Sequence, residues 1–493
     1  MMIPLWLFLS GIVAALLAAV FLRRRNPKLP PGPTGLPVLG NLLNLGSNPP
    51  EQLAKWSKEY GGVMSVQLGI RDMVMITDAD TAKTVFNDEN TAGRDQYFIL
   101  NTILKGKGLA ASEGELWREH RRFALSTLRD LGMGKTWFED DILENIGNVC
   151  QIFRDHANQP FDPHRHLTLA ISNAICALVF GRRFEHTDEK FLHLSNLFEE
   201  NLRILNVIAP IQFLPFLRYV PFGKIHDTWN EFFGNVGEIQ RFVKCLIESH
   251  KSRPDFQSKI EEKGDYIDNF FIVQNQEKAK SDSTFTEEQL TVSLLNLFAA
   301  GTSTTNSTIL WAFIYMVKYP EVQKKVHEEI DNKIGRDRPI RMEDRPSLHY
   351  CDAVTLEVQR LGSVAPMGVP HTNIDEMKIN GYEIPARSLL VLNTYAMHRD
   401  PRYWSHPKDF HPEHFLDKDG SVFIPKGFAP FGIGKRSCPG ESLAKMETYL
   451  FFTNIMQRFS VSAVPGNEPD PNNFSVSFLR TPKPYEIIFT PRT

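Results

Sequence analysis

A chain of 493 residues with 55 Lys+Arg against 58 Asp+Glu is close to neutral, at a formal charge of −3, and has no general pull toward nucleic acid. Its 42% hydrophobic and 23% charged content excludes a mainly disordered chain, and its 31 Gly and 32 Pro exclude collagen-like and low-complexity forms. Five widely spaced cysteines (Cys150, Cys176, Cys245, Cys351 and Cys438) make no disulfide framework and suit a reducing compartment.

Ile3 to Leu22 is an uncharged apolar run followed at once by Arg23, Arg24 and Arg25. About twenty residues at 1.5 Å rise cover ~30 Å, enough to cross a bilayer core. A cleaved signal peptide carries its positive charge before the apolar run and a small-residue cleavage site after it, the opposite of this order. Residues 1–22 therefore read as a retained membrane anchor, with the arginines holding the rest of the chain on the cytoplasmic side. Residues 23–38 read as a basic, proline-rich hinge: the prolines from Pro27 to Pro37 cannot continue a helix and favour an extended, semi-rigid segment. Residues 39–493 show no second linker or repeat and read as one domain.

Within that domain, Val63–Leu68, Val74–Thr77, Lys378–Ile384 and Leu389–Asn393 alternate as strands do. Tyr97 to Leu100 and Ile208 to Leu217 are more apolar than solvated loops. The second, broken by Pro210 and Pro215, reads either as core packing or as a loop that dips into lipid. Thr286, with Gln289 three residues on, fits a capping box that opens a helix running to Val317. A helix of about thirty mostly apolar residues belongs in the middle of a large domain. Pro320 starts the next helix at its first position. The fold class expected is mainly α with small peripheral β-sheets.

One segment carries chemistry. In Phe431-Gly432-Ile433-Gly434-Lys435-Arg436-Ser437-Cys438-Pro439-Gly440-Glu441 the proline and the apolar run behind it place the sulfur at a helix N-terminus, where dipole and free N–H groups favour a thiolate and a lowered pKa. Gly434 permits a positive-φ turn that aims amides at the sulfur, Gly440 permits close approach of a planar group, and Arg436 is placed to meet a carboxylate. A thiolate so braced is what a haem iron with a sulfur ligand needs. A dinucleotide fingerprint fails here because Ser437 stands where glycine is required.

With its F-x-x-G-x-R-x-C-x-G segment, the chain resembles a microsomal cytochrome P-450 monooxygenase of the family-two type, from anchor to C-terminus. Glu357-Val358-Gln359-Arg360 matches the family's E-x-x-R helix, and Pro412-Glu413-His414-Phe415 resembles its P-E-R-F motif, with His414 in place of arginine. Glu357, Arg360 and His414 read as a structural trio. Trp117 and Arg121 match W-x-x-x-R on one helix face, a pattern that alone is also common in cores. The resemblance makes Trp117, Arg121, Arg436 and His371 contacts to haem propionates, with a neutral hydrogen-bonding role the alternative for His371, and Cys438 the axial ligand of haem b (iron protoporphyrin IX), with Phe431, Gly434 and Gly440 shaping its loop. It makes Ala300-Gly301-Thr302-Ser303-Thr304-Thr305 an oxygen groove with Thr304 as proton relay; without Cys438 this would read as a slightly kinked buried helix.

The chain departs from the family at Ser303, where the usual residue is an acid. A serine can pass a proton but does not readily supply one. The resemblance further implies a pocket near Phe98, Ile103, Leu104, Phe298, Val364, Met367 and Phe478, and insertion of one oxygen atom of dioxygen into a lipophilic substrate by hydroxylation or epoxidation. Electrons would come from NADPH through NADPH-cytochrome reductase, with cytochrome b5 as a second donor, at the endoplasmic reticulum membrane. Arg118, Arg122, Lys135, Lys426, Lys435 and Lys445 are cations placed to meet an acidic redox partner. The alternatives are a haem-thiolate isomerase or dehydratase acting on peroxides without reductase, and a non-catalytic haem or lipid binder.

Overall fold

The computed structural model describes Gly11 and residues 27–95, 99–185, 188–254 and 264–492. The expected anchor and its arginines, and the pocket candidate Phe98, lie outside them. Among the described residues no helix is long and apolar enough to cross a membrane.

The longer helices are α1 (Pro49–Tyr60), α2 (Ala79–Asn87), α3 (Gly114–Asp130), α4 (Glu139–Asp155), α5 (His164–Phe180), α6 (Glu189–Ile208), α7 (Lys224–Lys251), α8 (Tyr266–Gln276), α9 (Glu287–Lys318), α10 (Pro320–Lys333), α11 (His349–Gly362) and α12 (Glu441–Arg458). The strands are β1 (Val63–Leu68), β2 (Arg71–Ile76), β3 (Pro160–Phe161), β4 (His371–Thr372), β5 (Met377–Ile379), β6 (Tyr382–Ile384), β7 (Leu389–Leu392), β8 (Phe459–Ala463), β9 (Phe474–Val476), β10 (Arg480–Pro482) and β11 (Ile487–Pro491). They form a mixed sheet in the order β1-β2-β7-β4, a three-stranded sheet β3-β11-β8 and two hairpins. Helices dominate and the sheets are peripheral, as expected.

Helix α9 is the axle. It is buried on nearly every face from Gln289 to Met316 and packs against α5, α7, α11 and α12. Such a helix has no polar stripe to turn outward, so its neighbours must cover it all round. Its start is half of a capping box. Thr286 Oγ1 accepts the Gln289 N–H at 3.2 Å, but the Gln289 side chain turns away to accept from Gly108 N at 3.0 Å. The return arm is spent on tying the preceding loop to the axle.

The strand expected over Lys378–Ile384 is instead the hairpin β5–β6. Asn380 and Gly381 take φ of 49° and 86° between them, the two positive values of a type I′ turn. The strand expected to end at Asn393 stops at Leu392, because Asn393 caps the next turn by accepting from Ala396 N.

The proline-rich segment is docked along the sheet edge. Ser65 donates its Oγ–H to Pro30 O at 2.7 Å and its N–H to Pro31 O at 2.9 Å, while Glu383 N donates to Lys28 O at 3.1 Å.

Candidate functional site

Cys438 sits two residues before Gly440, the N-cap of α12. Its N–H donates to Phe431 O at 2.9 Å, and Ser437 N donates to Gly434 O at 3.0 Å, closing a tight loop. Lys435 N donates to Phe86 O at 3.0 Å and pins that loop to the end of α2. This approach needs glycine at 434: φ is +83°, and a Cβ would lie 1.9 Å from the Phe86 oxygen. Gly440 is different. A Cβ there would meet nothing closer than the Cys438 Sγ at 3.9 Å, so its face is open for a flat group.

Cys150, Cys176 and Cys351 are buried, whereas Cys438 is exposed, as is Cys245 on α7. The Cys438 thiol is open at its surface yet surrounded by dense protein. That burial raises its pKa; the Gly440 N–H lowers it, Glu441 adds to the rise and Arg121 eases it. Without a metal, desolvation outweighs the Gly440 amide, opposite in direction to the lowering expected at a helix N-terminus. A metal reverses this balance, since a coordinating thiol is deprotonated outright.

Three guanidiniums converge beside the loop. Arg436 stacks 3.9 Å above the Trp117 ring and donates to Ala92 O and Ser112 O at 2.6 Å. Arg121 lies 5.7 Å from the same ring and donates to Ser437 O at 2.6 Å. Arg94, which the sequence did not single out, donates to Ala110 O at 2.9 Å and Pro370 O at 3.1 Å.

Burial depresses the pKa of all three, and for Arg94 and Arg436 neighbouring guanidiniums add to it; Glu113 opposes this for both. A guanidinium keeps its proton in proteins, and the depression is chiefly the cost of desolvation. Arg94, Arg121 and Arg436 form no ion pair with a carboxylate among the described residues, so their positive field stands unbalanced. Such a field fits a group bringing carboxylates of its own, as haem does with two propionates.

His371 joins this wall. Burial, then Arg94, holds it well below the usual imidazole range. Its Nδ1–H donates to Thr91 O at 3.0 Å, which leaves Nε2 an acceptor, so donation from Nε2 to a carboxylate requires the imidazolium.

On α9, Ala300 is exposed and Ser303 and Thr304 are half-buried, while Thr302 and Thr305 are buried. Ala300 and Thr304 share one face of the helix. Thr304 Oγ1 donates to Ala300 O at 2.8 Å, Ser307 to Ser303 O at 2.8 Å and Thr308 to Thr304 O at 2.9 Å. Gly301 lies against α5, where a Cβ would be 3.2 Å from Ile175.

The trio Glu357, Arg360 and His414 is assembled in the interior. Arg360 makes two 2.7 Å bonds to the Glu357 carboxylate, with both side chains fully buried, and its other donors meet His398 O, Pro407 O and Asp409 O. His414 Nε2 accepts the His406 N–H at 3.1 Å, so Nδ1 carries the hydrogen and faces Glu357 at 3.4 Å. A neutral imidazole meets both needs, through a long third contact.

Of the pocket candidates, Ile103 and Leu104 are buried in one cluster with Ile208 and Val292. Phe298 is buried among Phe180, Phe191 and Phe198, Met367 packs beside the β1–β2–β7 core, and Val364 and Phe478 are half-buried. A cleft of about 360 Å³ is lined by Trp117, Arg118, Arg121, Arg122 and Lys435, with Glu89 as its one carboxylate. Of the cations expected to meet an acidic partner, Arg118 and Lys435 face Glu89, Lys426 faces Asp80 and Lys445 faces Glu441. Arg122 and Lys135 form no ion pair among the described residues.

Residues 30–489 match the family model described as Cytochrome P-450. The chain is 36% identical over 499 residues to cytochrome P-450 2J5 of Mus musculus, covering 99% of this chain and 97% of that protein. It is 38% identical over 496 residues to cytochrome P-450 2J1 of Oryctolagus cuniculus, covering 98% and 96%. Cytochrome P-450 2J2 of Homo sapiens is 37% identical over 496 residues, with the same coverage of 98% and 96%.

Proposed function

The chain belongs to the cytochrome P-450 family and is a haem-thiolate monooxygenase, and we propose that Cys438 is its axial ligand and that it oxygenates a lipophilic substrate with electrons from NADPH. The observation that carries the assignment is an open Cys438 beside Arg121 and Arg436, which share the Trp117 ring, and the buried Arg94, none of the three in an ion pair among the described residues. Arg94, Arg121, Arg436 and Trp117 would hold the propionates, and the bare face of Gly440 would admit the ring. When bound, haem supplies dioxygen activation and, through its thiolate ligand, a push toward O–O cleavage.

The protein's residues do the rest. Ala300 and Thr304 present one face of α9 to the groove, and the Thr304 hydroxyl, anchored on Ala300 O, is positioned to pass a proton by rotation. Around the groove, Ile103, Leu104, Val364, Met367 and Phe478 make an apolar wall that excludes water and selects lipophilic molecules. The electron donor in this reading is NADPH-cytochrome reductase, with cytochrome b5 as a second donor; Arg122, Lys135 and the cations around the 360 Å³ cleft suit an acidic face. Residues 1–22 would anchor the chain in the endoplasmic reticulum membrane with the body toward the cytoplasm.

The test begins with the dithionite-reduced protein under carbon monoxide, which should show the red-shifted Soret band of thiolate ligation, and Cys438→Ala should abolish it. Reconstituted with reductase and NADPH, the enzyme should form oxygenated products from a lipid panel. Peroxide rearrangement without NADPH consumption would replace this reading with the isomerase.

A further inference from the structure

The last turn of α11 ends on buried guanidiniums. A helix leaves its final carbonyls without partners of its own, and a cation placed there also meets the negative end of the dipole. Ser363, at φ +40°, supplies two donors: its N–H to Gln359 O at 3.1 Å and its Oγ–H to Arg360 O at 2.6 Å. Arg399 donates to Leu361 O at 2.5 Å. Arg480, from β10, donates to the same oxygen at 3.2 Å and to Gly362 O at 2.7 Å.

As a cap for Leu361, Arg480 is redundant with Arg399. Its other contacts are its own. It is 5% exposed, forms no ion pair among the described residues, and lies between the Trp311 and Phe474 rings at 4.2 and 4.0 Å. Its Nη2 donates to Pro471 O at 3.4 Å, and its Nε is buried without a hydrogen-bond partner. Its backbone N–H donates to Val364 O at 2.8 Å, and its carbonyl accepts the Trp311 Nε1–H at 3.2 Å. Among the described residues, every hydrogen bond between residues 361–367 and 471–482 runs through Arg480. Burying a cation without a carboxylate is costly, and the planar fork and stack cannot be supplied by lysine.

The two segments so joined carry Val364 and Phe478. The groove helix belongs to the same hub, because Thr481 Oγ1 lies 3.3 Å from Ser307 Oγ, which donates to Ser303 O at 2.8 Å. From behind, Thr394 Oγ1 holds Ala365 O at 3.1 Å and Pro366 O at 3.0 Å. The Val364 side is thereby fixed independently, and Arg480 sets how far Phe478 stands from it.

We infer that Arg480 is a specificity-determining positioning residue: its guanidinium joins the end of α11 to the β9–β10 turn and fixes the spacing of the Val364 and Phe478 walls of the pocket. The inference rests on the reading of Val364 and Phe478 as walls of the groove.

The experiment compares full-length, haem-loaded wild type with Arg480→Met and Arg480→Lys. Two nitrogen ligands of haem iron serve as probes, imidazole, too small to reach the walls, and 4-phenylimidazole, which reaches them. Arg480→Met should keep the reduced carbon monoxide band and bind imidazole within twofold of wild type, both read from the Soret shift. Its affinity for 4-phenylimidazole should fall about tenfold, the scale of a methylene-sized change in an apolar pocket. Arg480→Lys, which keeps the charge and one donor without the fork, should fall between. Any lipid of the panel that is turned over should change its ratio of products, a ratio that loss of folded enzyme alone does not move. Amide hydrogen exchange in Arg480→Met should quicken together over residues 364–367 and 474–481 and stay at wild type in β1–β2.

Equal changes for the two probes, or faster exchange confined to one of the two segments, overturns the inference. If Arg480→Met does not assemble, Arg480→Lys carries the same comparison. Loss of the carbon monoxide band in wild type would strike the haem-thiolate reading instead, and the exchange pattern would still decide whether Arg480 couples the two segments.

Discussion

His398 has both ring nitrogens committed: Nε2 accepts the Ala429 N–H at 3.0 Å and Nδ1 faces the Arg360 carbonyl at 3.2 Å. That arrangement requires the neutral ring. Burial first, then the guanidiniums of Arg399 and Arg360, lowers its pKa to about 3 against 6.5 for the free side chain. Below 6.5 the unfolded chain takes up a proton that the native state refuses. Stability from this residue is thus complete above 6.5 and falls as pH drops toward 3, by about 1.4 kcal/mol per pH unit.

Replacing His398 by Gln keeps an acceptor and a donor but removes the titration. Denaturant unfolding between pH 6 and pH 4 should show a shallower loss in the variant, and parallel curves would refute the assignment. Residues of this kind show how unevenly the site reads from sequence. Cys438, Gly434, Arg436 and Gly440 lie within one short loop, so their spacing alone displays them. Arg94 reaches its Pro370 partner across 276 residues, and Arg480 looks like any strand arginine until α9 and α11 close over it. Long-range packing assigns such residues their roles, and no local pattern encodes it.

At the scale of elements, the loop ahead of α12 offers a graded test. Gly432 and Gly434 both take positive φ, +76° and +83°, but only at 434 would a Cβ strike a neighbour. Gly432→Ala should cost about 1–2 kcal/mol of backbone strain. Gly434→Ala adds a collision with the Phe86 carbonyl and must push the loop off α2, moving Cys438 with it. Circular dichroism should report the same helix content in both, while haem incorporated per chain drops sharply for Gly434→Ala alone. Equal pigment in the two variants would mean that the Phe86 contact does not set the cysteine.

Helix α9 was legible because a cap, a long apolar run and a stopping proline all agreed on it. The β5–β6 hairpin was not read as two strands, because each arm is only three residues long. Asn380-Gly381 is nonetheless a strong turn signal, and the apolar phase shifts there from Met377 and Ile379 to Tyr382 and Ile384.

At the scale of the molecule, the exposed large apolar side chains are unevenly distributed. Leu36, Leu43, Ile70, Phe216, Tyr219 and Phe222 are 46–73% exposed, and they belong to three segments stitched together by backbone bonds. Gly69 N donates to Leu39 O at 2.9 Å, and Ile70 N donates to Phe213 O at 3.1 Å. Gly69 permits this junction, since a Cβ there would lie 2.2 Å from the Phe213 oxygen. The loop after α6 is divided: Ile211 and Leu214 are buried as core packing requires, while Phe216 and Tyr219 are exposed.

An apolar rim of this size, at the end where the proline-rich segment enters the body, suits a lipid surface. Partly burying three aromatic rings in the interface contributes about 3 kcal/mol. A chain beginning at Pro27 should therefore still bind neutral phospholipid vesicles, and the triple variant Phe216→Ser, Tyr219→Ser, Phe222→Ser should partition about a hundredfold more weakly. Centrifugation with sucrose-loaded vesicles measures this directly. Because these rings contact water and not the haem wall, the carbon monoxide spectrum should be unchanged. A partition constant unaffected by the triple change would remove this rim as a lipid-binding surface.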